Sequence, residues 1–329
     1  MNSQISPLLV PAVLGLLSAV LLLGSITVPA LGALTLPVST APLFYAGLTR
    51  NVRGAAIACG VALAGALVFA GLGGFLVLLL IAAGPALLVA WYANLSRPVD
   101  EGDPDGAIEW FPLPEIIGRL AIYVTLVTLG IIAVTGYDPT VLSGQLSEAM
   151  RGVFLEASRE NPELALPTDE RISQQTALFA RFVPALMPAG LLLVLFTSLG
   201  VASLVARARG SQRRGRDDVP AEAGLPFPAM IVFAVAVACL AIGLFSTAAM
   251  AVAGALGFIF ALIGLAVIHY AVRGRPSRTA TLVLLYIAII LFSPLWIGLV
   301  VLGLAETLLG LRARLSNRFT PPPPPSPKE

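Results

Sequence analysis

Charge is scarce in this chain. Of 329 residues only 12% are Asp, Glu, Lys or Arg, while 57% are hydrophobic, and the mean hydropathy is +0.92. So little polar surface cannot close around the core of an ordinary soluble domain, so a water-soluble globular fold is excluded. Histidine is almost absent: His269 is the single one. The two cysteines, Cys59 and Cys239, stand far apart inside apolar runs, with neither CxxC nor metal-ligand spacing, which leaves them as small packing residues. There is no HExxH, no GxSxG, no pair of aspartates within the apolar runs and no cysteine beside a base. The residues therefore indicate no enzyme, no cofactor and no metal site.

What is abundant is uncharged length. A helix crosses the hydrocarbon layer with about 20 apolar residues, and several runs here are roughly twice that. They read as hairpins of two spans. The predicted fold is all-α, a polytopic bundle of eight to ten crossings, forming one integral membrane domain over residues 1–318. A Pro-rich tail is predicted over 319–329. The apolar run from Pro7 lacks a basic start and an A-x-A cleavage site, and reads as a retained first helix.

Turn chemistry divides the runs. Prolines mark a short second span over 30–48, and Gly71, Gly73 and Gly74 break residues 52–95 into two helices, the second ending at Trp91 and Tyr92. Residues 96–114 form an acidic loop rich in Pro and Gly. Glu115 and Arg119, four apart at the start of the next span, are expected to form an interfacial pair. Residues 136–180 are the one sizeable polar stretch. Asp138 caps a helix with Pro139 at its first position, and Leu142, Leu146, Met150, Val153 and Ala157 recur at helical spacing. The result is an amphipathic loop helix, a surface connector or a cover over the bundle mouth. Thr168 starts the following helix, which Pro184 and Pro188 should kink. An uncharged run over 227–272 divides near Ser246 and Thr247, and Pro294 interrupts the last one.

Arginine sets the topology. Arg50, Arg53, the cluster around Arg213 and Arg273 to Arg278 share the cytoplasmic side of a bacterial inner membrane if the termini are cytoplasmic, which makes 136–180 extracytoplasmic. Arg312, Arg314, Arg318 and Lys328 join them only if the chain turns back at Pro294, the path expected here. His269 and Glu306 then lie at similar depth, and two arrangements remain open: a polar contact between them, or separate snorkelling toward headgroups.

The segments "GLAVIHYAVRGR", "LLYIAIILFSPLW" and "VLGLAETLLGLRARL", with "EWFPLPEIIGRL" and the amphipathic helix leading into a Pro-containing span, resemble the YybS-like family of bacterial multi-pass membrane proteins. That family has no established activity. At fold level it is grouped with membrane-embedded solute-binding components of vitamin transporters and with rod-shape membrane proteins, so the resemblance implies transport or partner docking. Two functions follow as expectations. The first is a transporter-like binder or permease for a neutral or apolar small molecule. The second is a non-catalytic scaffold docking to another membrane protein, because Gly15, Gly60, Gly254 and Gly264 lie on small-residue helix faces that permit close packing. The lipid bilayer is the evident partner. Nucleic acid is not expected, since no aromatic residues interleave with the basic loop 207–216.

Overall fold

The computed structural model describes residues 8–27, 32, 34–99, 108–161 and 166–319. Pro7, Pro29, residues 100–107 of the acidic loop and the tail from residue 320, with Lys328, lie outside the described residues. The protein is an all-α membrane bundle. Four helical stretches are long and apolar enough to cross a bilayer: Leu36–Ala93, Leu113–Thr135, Asp169–Ala208 and Ser246–Ala271.

The chain opens with α1 (Leu9–Thr27), a 3-10 turn (Leu36–Val38) and α2 (Ala41–Leu78). A straight helix over Leu36–Ala93, 58 residues, would be about 87 Å long at 1.5 Å per residue, far beyond any bilayer. Two breaks fold it. Asn51 (φ 67°, ψ −170°) and Gly71 (φ 65°, ψ −164°) leave the helical region for an extended, positive-φ backbone, which glycine adopts at least cost and which is strained at Asn51. Gly71 is the apex of a hairpin, since the Cys59 thiol reaches the Ala83 carbonyl at 3.7 Å. A π-helical turn (Leu79–Ala83) leads into α3 (Gly84–Ala93). Pro85 has no N–H for the Leu80 carbonyl that π register would pair with it, and the Tyr123 hydroxyl donates there instead at 3.0 Å.

A two-stranded hairpin, β1 (Ser96–Pro98) with β2 (Ile108–Trp110), follows. It sits within the loop for which the sequence signalled only turns. Next come α4 (Leu113–Thr135), α5 (Pro139–Glu160) and α6 (Asp169–Ala208). Asp138 caps α5 through the Thr140 N–H at 2.7 Å, and Thr168 caps α6. The face α5 turns inward follows the expected stripe at Leu142, Leu146, Met150 and Ala157 and departs from it at one position. Val153 is exposed, Phe154 takes its place, and Ser147 is the buried residue, hydrogen-bonded to Thr176 at 2.6 Å. α6 stays helical through both prolines. Pro184 deprives the Ala180 carbonyl of its helical donor, and the Tyr137 hydroxyl supplies one.

The remaining elements are a short α7 (Val219–Glu222), α8 (Phe227–Ala241), α9 (Ser246–Ala271), α10 (Arg278–Leu291), α11 (Leu295–Leu309) and α12 (Leu311–Phe319). The α8–α9 turn spans 242–245, where Gly243 and Phe245 take positive φ. The chain turns back at 292–294. Residues on either side of that hairpin bond the same short segment: Arg273 holds Asp218, and Arg312 holds the carbonyls of Pro220, Ala221 and Ala223. Its legs, 14 and 15 residues, reach only about 21 and 22 Å of a hydrocarbon layer of about 30 Å. The expected eight to ten crossings are therefore unequal, and this pair is shorter than a full span. Close crossings use the expected small residues. A methyl at Gly15, Gly254 or Gly264 would overlap the backbone carbonyl of Ala58, Ala185 or Leu299, whereas one at Gly60 meets nothing within 4 Å.

Candidate functional site

Connections far apart in sequence meet at one end of the bundle. The Tyr45 hydroxyl, one turn before Arg50, reaches Ser211 at 3.4 Å, and Asn94 donates to the Gly47 carbonyl at 3.0 Å. The segment 209–226 lies across this end, and three arginines fasten it. Arg214, only 8% exposed, forms a fork on Asp217 through Nε (2.8 Å) and Nη2 (2.6 Å), and its Nη1 donates to the Phe111 carbonyl at 2.8 Å. Arg273 grips both Asp218 oxygens at 2.6 Å. Those bonds and the guanidinium charge hold the Asp218 carboxyl below its ordinary value. Arg312 donates from Nη1 to Pro220 (3.1 Å) and Ala221 (2.9 Å) and from Nη2 to Ala223 (2.7 Å). These are the carbonyls that the end of the one-turn α7 leaves unpaired. Planar, multidentate donation of this kind is specific to Arg.

Beneath the segment lies a cavity of about 400 Å³, within the 300–1,000 Å³ typical of small-molecule sites. Its walls are apolar, from Ile117 and Leu120 on α4, Leu199 on α6, and Ile259, Ile263 and Ala266 on α9. The three longest uninterrupted helices thus contribute most of the lining. Polar side chains gather where it opens: Ser203, Arg207, Gln212, Arg214, Asp217 and His269. Ser203 and Arg207 are one turn apart on α6 and share a face. The Ser203 hydroxyl donates to Gln212 Oε1 at 3.3 Å, which ties the loop to the helix.

The expected polar contact between His269 and Glu306 is not formed. Glu306 Oε1 accepts from Arg312 Nε at 2.8 Å, and its Oε2 accepts from the Arg312 backbone N–H at 3.0 Å. Gly310 (φ 58°) ends α11 in the left-handed region and folds the chain back, which brings the Arg312 guanidinium onto the carboxylate in place of the imidazole. His269 Nδ1 donates to the Leu265 carbonyl at 2.9 Å, and Nε2 meets the Tyr286 hydroxyl at 3.2 Å. The imidazole joins α9 to α10 at the cavity rim. Separate snorkelling fails as well, because Glu306 is only 10% exposed and is paired.

Glu115 and Arg119 are not joined by an ion pair among the described residues. The Arg119 guanidinium instead lies 4.6 Å from the Tyr92 ring centroid and 5.6 Å from that of Phe111. Those rings draw the cation across to α3, and Glu115 remains in the first turn of α4, where a negative charge suits the helix dipole. Among the described residues no three His, Cys, Asp or Glu side chains converge as a metal ion would require.

Sequence reasoning missed Arg207, Gln212 and Arg214 as site residues, because an arginine-rich loop reads as a topology signal. The cue was the run of residues 213–218, "RRGRDD", in which two carboxylates follow three arginines. Comparison with family models, curated proteins and solved structures finds no match to this chain.

Proposed function

We propose that the protein is a membrane-embedded binder or permease for a largely apolar small molecule, which enters the cavity at the arginine-bearing end. The observation that supports this reading is an apolar cavity of small-molecule size, walled by the long helices and bordered by polar groups at a single end. We place that end in the cytoplasm of a bacterial cell, since Arg-rich connections are retained there. The kinship with YybS-like proteins is part of the same proposal. No reaction is assigned to the chain.

The test is mass spectrometry of small molecules released by organic solvent from the detergent-purified protein. Wild type is expected to retain one compound near stoichiometry. Leu120→Trp and Ala266→Phe, which place a ring in the cavity, are expected to lose it while eluting normally on size exclusion. A stoichiometric membrane-protein partner with no retained compound would replace this reading with a scaffold. Retention unaffected by both variants would overturn it too.

A further inference from the structure

The polar rim of the cavity is one-sided in its hydrogen bonding. Arg214 and Asp217 neutralise each other, and Arg214 Nη1 is held by the Phe111 carbonyl. Both nitrogens of His269 are engaged by Leu265 and Tyr286. Ser203 gives its proton to Gln212 Oε1. The side chains at the rim that keep donors without any acceptor for their nitrogens among the described residues are the Gln212 amide N–H₂ and the guanidinium of Arg207. All are donors, and Arg207 carries the one charge at the rim without an opposite partner. Ser203 and Arg207 lie on one face of α6, and Gln212 is tied to Ser203, so the unused donors converge on one side of the mouth.

We propose that the ligand is an amphiphile with a single acidic headgroup, a carboxylate or a phosphate ester, seated at Arg207 and Gln212 with its apolar chain running inward along α4 and α9. This rests on the cavity being the binding site. The headgroup follows from the inventory. An acceptor-only anion matches a guanidinium and a primary amide, and a charge-assisted fork is the strong form of that contact. A neutral alcohol uses one of those donors and leaves the positive charge uncompensated. The chain follows from the walls, which offer no polar group deeper than the rim. Orientation follows from both: the head faces the arginine-bearing end, and the ligand enters tail-first and leaves head-first through it.

The test compares hexadecanoate, hexadecyl phosphate and hexadecanol binding to the full-length protein in non-ionic detergent, by native mass spectrometry at matched concentrations. Wild type is expected to bind the better acid about tenfold more tightly than the alcohol, the equivalent of one modest ionic hydrogen bond. Arg207→Gln is expected to bring the acid-to-alcohol ratio near unity, and Arg207→Lys to retain most of it. Because Arg207 is exposed, raising the salt concentration should narrow the wild-type ratio. The preferred acid identifies which of the two headgroups the rim takes. Equal binding of acid and alcohol, both abolished by Leu120→Trp, would overturn the acidic headgroup and leave the cavity intact. Binding of any of the three that Leu120→Trp leaves unchanged would overturn the cavity itself.

Discussion

The two ends of the bundle are tied together by different chemistry. At one end Arg214, Arg273 and Arg312 fasten the 209–226 segment with charge-assisted bonds, two of them forks on carboxylates. At the other, the collar of α5 and the first turns of α6 is held by hydroxyls, Ser147 on Thr176 and Tyr137 on Ala180, with the Asp138 carboxylate capping α5. The ion pair Arg151 with Asp169 at 2.8 Å is 46% and 77% exposed and contributes little. The cavity lies under the charge-tied end. A membrane helix bundle has no internal hydrophobic drive to hold a loop in place. Directional bonds must do it, and the arginines supply more of them per residue than the hydroxyls do. The cavity lies beneath the segment that these directional bonds hold in place.

The largest expected effect is at Arg312. Its side chain and that of Glu306 are 12% and 10% exposed, so Arg312→Leu strands a buried carboxylate and three carbonyls. A loss of about 3–5 kcal/mol is expected for breaking such a pair from one side, read as a lowered thermal unfolding midpoint in detergent. Adding Glu306→Gln should recover part of it. Full stability in Arg312→Leu would mean the arginine end is not held as described.

Next in size is the α9–α11 crossing. Gly264→Val sets a branched side chain against the Leu299 carbonyl, and overpacking of this kind costs about 1–3 kcal/mol. Gly60→Val, facing open space, is the control and should leave the midpoint unchanged.

At the opposite end, Tyr137→Phe removes the donor that replaces the N–H missing at Pro184. A loss of about 1 kcal/mol is expected, with faster hydrogen exchange confined to 137–180. Loss of order at 209–226 in this variant would dissolve the distinction between the ends.

The order of the helices was largely legible in the sequence. Apolar runs too long for one crossing, with breaks expected at Gly71, near Ser246 and Thr247, and at Pro294, require hairpins, and the structure turns at 71, 242–245 and 292–294. Partner choice was not legible. Glu306 meets Arg312 because Gly310 is left-handed, a single dihedral that depth arithmetic along straight helices ignores. Arg119 leaves Glu115 for rings contributed by α3 and β2's flank, which no local spacing encodes. The stripe on α5 was legible at Leu142, Leu146, Met150 and Ala157, and differs only where Phe154 rather than Val153 is the covered residue. The cavity draws on distant segments and had no sequence signature beyond the run of 213–218, in which two carboxylates follow three arginines.

Acid should weaken both ends slightly. Asp218 is lowered by its bonds to Arg273, and Asp138 by its bonds to Thr140. Groups whose folded values are depressed contribute stability that is present above the ordinary carboxylate value, about 3.9, and is lost as pH falls through the lower folded value. Both side chains are well solvated, so the effect on the unfolding midpoint is small. Asp218→Asn should remove the arginine-end share of the acid sensitivity and Asp138→Asn the collar share. The smallest effect belongs to Arg97, whose pair with Glu109 at 2.7 Å is 78% and 51% exposed. Arg97→Ala should shift stability by no more than about 0.5 kcal/mol.

Hydrogen–deuterium exchange of the lipid-reconstituted protein, with and without hexadecanoate, compares the two ends in one experiment. Binding in the cavity between α4, α6 and α9 predicts slowed exchange at 209–223 and at the adjoining turns of α6 and α9, with 139–160 unchanged. Slowed exchange confined to 139–160, with 209–223 unaffected, would place the ligand at the collar and contradict the account.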